Sequence, residues 1–458
     1  MSADSELARP RRVHLVAIGG KAMSAMAEIL LAQGHQVSGS DAVDSAELAR
    51  LRRLGIEVSV GHDAAHLGDA DLVACSTAVP ADNPERVEAL RRGITLLGRP
   101  QLQGALVRTG RPVAVSGTHG KSTTTAMVVT ACVGSGLDPS YLVGARMGDL
   151  GAAHHGSDPW FVVEADESDG TFLELGAEIA VVGNVDSDHL DQWGSIEAIE
   201  AGFDRFVAEA SAVALVGADD PIARRIGTAH GAVSIGTDAA ADWRIDHVVT
   251  GRGETRFVLI DPSGSETPVV VPEPGLHNAR NAALAVVTSV HMGIPAAGAA
   301  RALAGYSGLE RRFQVLGEAG GVTVVDDYAH NPAKVEAVLT GASGGGWNRV
   351  VAVFQPHRYS RTADLAESFA DSFDAADIVF VTELDPSGEA PRPGVSGELV
   401  VRAVADAHPD SDLRWVADRR QLADAVLAEL RPGDVCLTIG AGDITRFGPE
   451  LLARLEDR

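Results

Sequence analysis

Val113-Ala-Val-Ser-Gly-Thr-His-Gly-Lys-Ser-Thr-Thr-Thr-Ala-Met127 decides how the rest of this chain reads. A short apolar run breaks at Gly117, turns through Gly120-Lys121-Ser122 and enters an alanine- and valine-rich stretch of helical character. Strand, glycine turn and helix make the outline of a phosphate loop. The N–H groups of the turn and of the first helical turn converge on one concave spot, where the helix dipole also favours an anion. A lysine after the second glycine reaches terminal phosphates, and a hydroxyl at the next position suits Mg²⁺. The fuller form of the motif has a glycine where Val115 stands, so the loop is the shortened Gly117-Thr118-His119-Gly120-Lys121-Ser122. Only Lys21, Lys121 and Lys334 are lysines; the rest of the 38 basic residues are arginine. One of the three falls in this loop.

Upstream, Val13–Ile18 reads as a buried strand, followed by Gly19-Gly20, a helix from about Met23 to Gln33, and a second strand from Gln36 to Ser38 that ends in Gly39-Ser40-Asp41. This is a dinucleotide-fold outline without the full glycine fingerprint, since Ala17, Gly19 and Ala22 occupy its glycine positions. Further alternation to about Leu97 predicts a parallel α/β sheet. A short helical passage between Gly98 and Pro112 leads into the phosphate-loop region.

Downstream, the strand Trp160–Glu164 ends in Glu164-Ala-Asp-Glu-Ser-Asp-Gly170, and the strand Ile179–Val182 ends in Gly183-Asn-Val-Asp-Ser-Asp-His-Leu-Asp191. Both acidic runs follow strands, at the end where open α/β sheets hold ligands. If those strands flank the phosphate-loop strand, Glu164 and His189 come near the phosphates and can bind Mg²⁺. Residues 242–272 read as an antiparallel edge of short strands. Asn278 opens an apolar helix to about His291 and suits an adenine edge and a plain helix cap equally. In the last third, strands run into Asp326-Asp-Tyr-Ala-His-Asn-Pro332, Gln355-Pro-His-Arg-Tyr-Ser-Arg-Thr362 and Gly440-Ala-Gly-Asp443. Guanidinium forks at Arg358 and Arg361 can hold a carboxylate or phosphate.

With 458 residues and 45% hydrophobic content the chain has room for about three domains. A net charge of -25 argues against a nucleic-acid partner. Three scattered cysteines in apolar surroundings read as free buried thiols of a reducing compartment. No run approaches membrane-spanning length, and the expected location is cytoplasmic. From the residues alone, a carboxylate ligase, a kinase and an ATP-driven switch all remain open.

Seven ordered stretches carry a resemblance: Gly117–Thr125, Glu164–Gly170, Asn184–Asp191, His277-Asn-Ala-Arg-Asn281, Arg311-Arg-Phe313, Asp327–Pro332 and Gly440–Asp443. Together they resemble the Mur ligase family over nearly the whole chain. Val37–Asp41, Arg311–Gln314 and Phe354–Thr362 are similar to its alanine-adding branch. The resemblance implies an α/β protein of three domains. Residues 1–107 would form a Rossmann-like domain for a UDP-sugar, 108–313 a P-loop-type ATPase domain, and 314–458 a Rossmann-like domain for an amino acid. It also implies an ATP-dependent ligation of L-alanine to the lactyl carboxylate of UDP-N-acetylmuramate through an acyl phosphate, for peptidoglycan precursors.

By the same resemblance, Gly117, Thr118, His119, Gly120, Lys121, Ser122 and Thr123 would take the ATP phosphates, and Ser122, Glu164 and His189 the Mg²⁺. Asn278 and Asn281 would hold adenine. Arg312, Asp327 and His330 would approach the nucleotide, and Lys121, Glu164, His189, Arg312 and His330 make the catalytic set. Gly19, Gly20, Ser40, Asp41, Ser76 and His189 would serve the UDP-sugar. His357, Arg358 and Arg361 would position the amino-acid carboxylate and the muramyl group. The chain departs from the family at Ala17, Ala22 and Ala25, where glycines are usual, and a Cβ there would crowd a pyrophosphate. Lys21 could supply compensating charge. Another acceptor or an altered UDP-sugar is the alternative reading.

Overall fold

The computed structural model describes residues 6–186 and 190–457. Its strands form three sheets. The first contains β1 (Arg12–Val16), β2 (Gln36–Asp41), β3 (Glu57–Val60), β4 (Leu72–Cys75) and β5 (Thr95–Gly98), in the order β3-β2-β1-β4-β5. All its pairings are parallel. Successive strands leave β1 in opposite directions, so a switch point opens between β1 and β4. Ligands of doubly wound sheets bind at such a point. β2 runs on through Gly39-Ser40-Asp41, beyond the expected end at Ser38.

The second sheet has ten strands: β6 (Arg111–Ser116), β7 (Ser140–Met147), β8 (Gly151–His154), β9 (Trp160–Glu164), β10 (Ile179–Val182), β11 (Val213–Gly217), β12 (Val233–Gly236), β13 (Trp243–Thr250), β14 (Thr255–Ile260) and β15 (Glu266–Val271). Their order is β15-β14-β13-β12-β11-β10-β6-β9-β7-β8. The phosphate-loop strand β6 therefore lies between β9 and β10, parallel to both. That is the neighbour relation on which the placing of Glu164 depended.

The third sheet contains β16 (Gln314–Ala319), β17 (Val322–Asp327), β18 (Val350–Phe354), β19 (Ile378–Val381), β20 (Leu413–Trp415) and β21 (Val435–Ile439), in the order β16-β17-β21-β18-β19-β20. Only β16 runs antiparallel to its neighbour. Helices cover both faces. One face buries Val324, Val353, Phe380 and Phe447; the other buries Val325, Phe354, Phe369 and Leu437. Alternate residues of β17 thus face opposite cores, as the two-residue strand period requires.

The chain forms two compact units. The first holds residues 6–247, 257–269 and 280–306, with the first sheet and most of the second. One hydrophobic cluster runs through it from Leu15 and Met26, by way of Leu102 and Leu106, to Phe161, Phe172 and Phe203. The short helical passage expected between Gly98 and Pro112 is packed into this cluster. Its helix Arg99–Val107 is buried from Leu102 onward, and Gly104 lies too close to the Glu174 carbonyl for any Cβ. The second unit holds residues 248–256, 270–279 and 307–457, with the third sheet. Among the described residues no helix is long and apolar enough to cross a membrane. Cys75, Cys132 and Cys436 are free and buried, as their apolar surroundings suggested.

Candidate active site

β6 delivers the loop. Gly117 has φ 133° and Gly120 φ 77°, both in the region that favours glycine, and Gly120 caps the helix Lys121–Gly134. A Cβ on Gly120 would lie 2.7 Å from Asn281 Oδ1, so the turn closes only around glycine. The other wall is Asn184, at the end of β10. Its Oδ1 accepts from His119 N at 2.8 Å, and its Nδ2 donates to His119 O at 3.0 Å. The Thr118 hydroxyl accepts from Asp186 N at 2.8 Å. Asn184 lay within a quoted motif, but nothing in its spacing marked it as the staple of the loop.

Lys121 Nζ is 2.8 Å from the Glu167 carboxylate and donates to Gly117 O at 2.8 Å. Sequence reasoning missed Glu167. It is one of several carboxylates in the acidic run after β9, and periodicity does not say which turns inward. Burial pushes its carboxyl upward, against the pull of Lys121. Glu164, at the last position of β9, pairs across to Val115 of β6. Its Oε2 accepts from Gly144 N at 2.7 Å, and a Cβ on Gly144 would lie 2.6 Å from that oxygen. Ser122, in the first turn of the helix, is buried. A hydroxyl and a carboxylate form a hard-oxygen donor set, and such a set fits Mg²⁺. Thr123 follows Ser122 in the same turn. His189, the third expected ligand, lies outside the described residues.

Asn281 is turned onto the loop, within 3.2 Å of the Thr124 hydroxyl. Asn278 is buried and donates to Pro274 O at 2.9 Å. Asn281 thus contacts a side chain of the loop helix, and Asn278 a backbone carbonyl that precedes the helix Leu276–His291.

At the first sheet, Gly19 N donates to Asp41 Oδ2 at 2.9 Å, and a Cβ on Gly19 would meet that oxygen at 2.9 Å. Asp41 thus fixes the glycine turn. Ser76 N donates to Val16 O across the switch point at 3.2 Å, and Gly20 caps the helix Lys21–Ala32. Ser40 is fully buried and donates to Glu85 Oε2 at 2.5 Å, which turns its hydroxyl into the protein. Glu85, also missed, collects His62 Nδ1 at 3.1 Å and His66 Nδ1 at 2.9 Å as well, with His14 Nε2 at 3.7 Å. Burial alone would raise its carboxyl, yet the nearby His14 ring and hydrogen bonds from Ser40 and His66 bring it down to about 2. Of the three alanines at family glycine positions, only Ala17 has a positive φ, of 62°. Ala22 and Ala25 lie inside the helix Lys21–Ala32, where alanine is at home.

In the second unit, the ends of β17, β18 and β21 carry the remaining residues. Arg312 stands between Arg311 (φ 59°) and Phe313 (φ 44°), two strained neighbours. They are pinned by Arg311 Nη2 to Gly440 O at 2.5 Å and by Phe313 N to Asp327 Oδ2 at 2.7 Å. The Arg312 guanidinium lies 5.6 Å from the Tyr328 ring centroid. Asp327 is buried, which raises its carboxyl against Arg312 and two backbone N–H donors. Nearby Glu273 is pushed up to about 8 by burial and by Asp327. His330 sits beside His357, with ring centroids 6.2 Å apart, and Arg361 Nη1 donates to His357 Nδ1 at 3.1 Å. Arg358 has φ 68°, held by its N–H on Asp385 O at 2.8 Å. His330 thus joins the group expected for the amino acid.

Family models match along the chain in the same order: "Mur ligase family, catalytic domain" over residues 12–111, "Mur ligase middle domain" over 115–289 and "Mur ligase, glutamate ligase domain" over 311–442. The UDP-N-acetylmuramate–L-alanine ligase of Clavibacter sepedonicus is 44% identical over 97% of this chain and 94% of its own. The ligase of the same name from Anaeromyxobacter sp. (strain Fw109-5) is 43% identical over 98% of each. A solved structure of the UDP-N-acetylmuramate–alanine ligase of Thermotoga maritima superposes with a TM-score of 0.81 at 27% identity, covering 98% of this chain and 99% of that one. With a loop built on Gly117–Ser122, acidic strand ends on either side of it and these matches from end to end, the chain belongs to the Mur ligase family.

Proposed function

We propose that the chain joins L-alanine to the lactyl carboxylate of UDP-N-acetylmuramate at the expense of ATP, through an acyl phosphate, in the cytoplasmic synthesis of peptidoglycan precursors. The observation that carries this reading is the placing of β6 between β9 and β10, which sets Glu164 and the Asn184 staple on either side of the Gly117–Ser122 loop. Three functional domains, 1–107, 108–313 and 314–458, divide the labour among UDP-sugar, ATP and amino acid.

In this reading Lys121 leaves the Glu167 carboxylate to meet the terminal phosphates, and the loop N–H groups take the phosphate oxygens. Ser122, Glu164 and His189 would hold Mg²⁺, which supplies charge neutralisation at those oxygens. Phosphoryl transfer needs positioning and charge more than a protein nucleophile. Arg312 and Asp327 serve the nucleotide, and Asn278 and Asn281 frame the adenine side of the helix start. Gly19, Gly20, Asp41 and Ser76 surround the switch point for the UDP-sugar, with Ser40 as support. His357, Arg358 and Arg361 take the amino-acid carboxylate and the muramyl group.

The test is phosphate release from ATP and Mg²⁺ with UDP-N-acetylmuramate, adding L-alanine, glycine, L-serine or a tripeptide separately. Alanine-dependent turnover supports the reading; turnover only with another acceptor replaces it.

A further inference from the structure

Two histidines in the second unit have hydrogen-bond partners that fix their tautomers. His330 Nδ1 lies 2.8 Å from the Tyr328 carbonyl oxygen, which can only accept. That nitrogen therefore carries the hydrogen, and Nε2 carries the lone pair. Arg361 Nη1 can only donate, and it lies 3.1 Å from His357 Nδ1. His357 is accordingly neutral, with its hydrogen on Nε2. Adjacent rings at the ends of β17 and β18 thus offer opposite functions: an acceptor from His330, and a donor from His357 beside the Arg361 guanidinium. An α-amino acid needs this combination, with donors for its carboxylate and one acceptor for its ammonium group.

We infer that His330 Nε2 accepts the proton that the incoming amino acid must lose before its nitrogen can attack, while Arg361 and His357 Nε2–H hold its carboxylate. The inference rests on the ligase reading and assigns His330 to the amine, not to the nucleotide. The ammonium gives one proton to Nε2, and the freed lone pair forms the C–N bond at the acyl carbon. The C–O bond to phosphate then breaks, its electron pair leaves on the phosphate, and the amide nitrogen sheds its second proton to that leaving group. Charge around the ring sets the order of events. Burial pushes His330 down to about 3, against the hydrogen bond to the Tyr328 carbonyl, and the cations Arg361 and Lys334 add to the lowering. Around His357, burial, Arg361 and Arg358 lower the ring, against Asp385 and Glu389. A substrate carboxylate on Arg361 cancels one of these cations, so seating the amino acid raises the proton affinity of His330 Nε2.

The experiment compares L-alanine with hydroxylamine, an amine already unprotonated at neutral pH, as acceptor for the acyl phosphate in wild type and H330Q. Glutamine keeps a donor for the Tyr328 carbonyl, and H330N serves as a second variant; thermal unfolding checks that both fold. The expected result is a kcat with L-alanine lower by about 10²–10⁴-fold, with KM for alanine nearly unchanged. Hydroxamate formation should stay at the wild-type rate, and the residual alanine rate should climb with pH. An H330Q enzyme with wild-type alanine kcat, or one that loses both acceptors equally, overturns the inference. Wild type without any alanine-dependent phosphate release overturns the ligase reading and the inference with it.

Discussion

Lys121 and Glu167 form a nearly buried ion pair at 2.8 Å, with the lysine of the phosphate loop folded back onto a carboxylate from the run that follows the neighbouring strand β9. The lysine must exchange this partner for phosphate whenever nucleotide binds, and Glu167 is left to its burial. K121M is expected to abolish turnover and to cost roughly 3–5 kcal/mol at pH 8, since it strands a buried carboxylate. Glu167 already lies above the usual carboxylate range. Without the lysine it rises further, so the variant loses stability as pH climbs from the unfolded carboxylate value to the folded one. Thermal melts at pH 5 and pH 8 check this. Adding E167Q to K121M should restore stability and leave activity absent.

Ala17 and Ala22 should respond to glycine with opposite signs. Ala17 sits at φ 62°, where a Cβ costs about 1–2 kcal/mol, so A17G is expected to hold or raise stability. Ala22 is helical, and A22G should cost about 1 kcal/mol. Urea titrations read both. If Ala17 crowds a pyrophosphate, A17G alone lowers the KM for the UDP-sugar.

Glu85 is a buried anion held by histidines and a serine. Its carboxyl sits at about 2 in the fold against 4.5 as its reference, so its contribution is present above that reference value and fades as pH falls toward 2. E85Q is expected to lose at least about 2 kcal/mol at pH 7. The gap to wild type should narrow steadily between pH 4.5 and pH 2. Urea titrations across that range test it, and a constant gap would assign the loss to packing.

The thiols should be inert in the folded protein. Burial pushes Cys75 to about 11, and Cys132 and Cys436 to about 12. Ellman's reagent is expected to label none of them until denaturant is added. Labelling of the native protein would reveal local opening.

The loop and its flanking acidic strand ends were legible because glycine turns and short apolar runs are local signals. Strands β7, β11 and β12 went unread because their burial depends on neighbours far away in sequence, which single-sequence periodicity does not report. The alanines at family glycine positions looked like one problem of three residues. Backbone geometry reduces it to Ala17, since a φ value is invisible in composition. Glu167, Glu85 and Asn184 lay in plain view, but which carboxylate or amide turns inward is decided by packing. The tautomers of His330 and His357 depend on a carbonyl and a guanidinium whose positions only the fold supplies.

β6 lies between β9 and β10, and both partners are made after it. A ribosome that has released residues 111–116 has built a strand whose two hydrogen-bonding edges stay bare until residues 160–164 and 179–182 emerge. At roughly 5–20 residues per second that exposure lasts several seconds. Bare apolar strand edges invite pairing with other chains. The phosphate-loop strand thus waits for both of its neighbours during synthesis, and truncations that stop between β6 and β10 should aggregate where those ending after β5 need not.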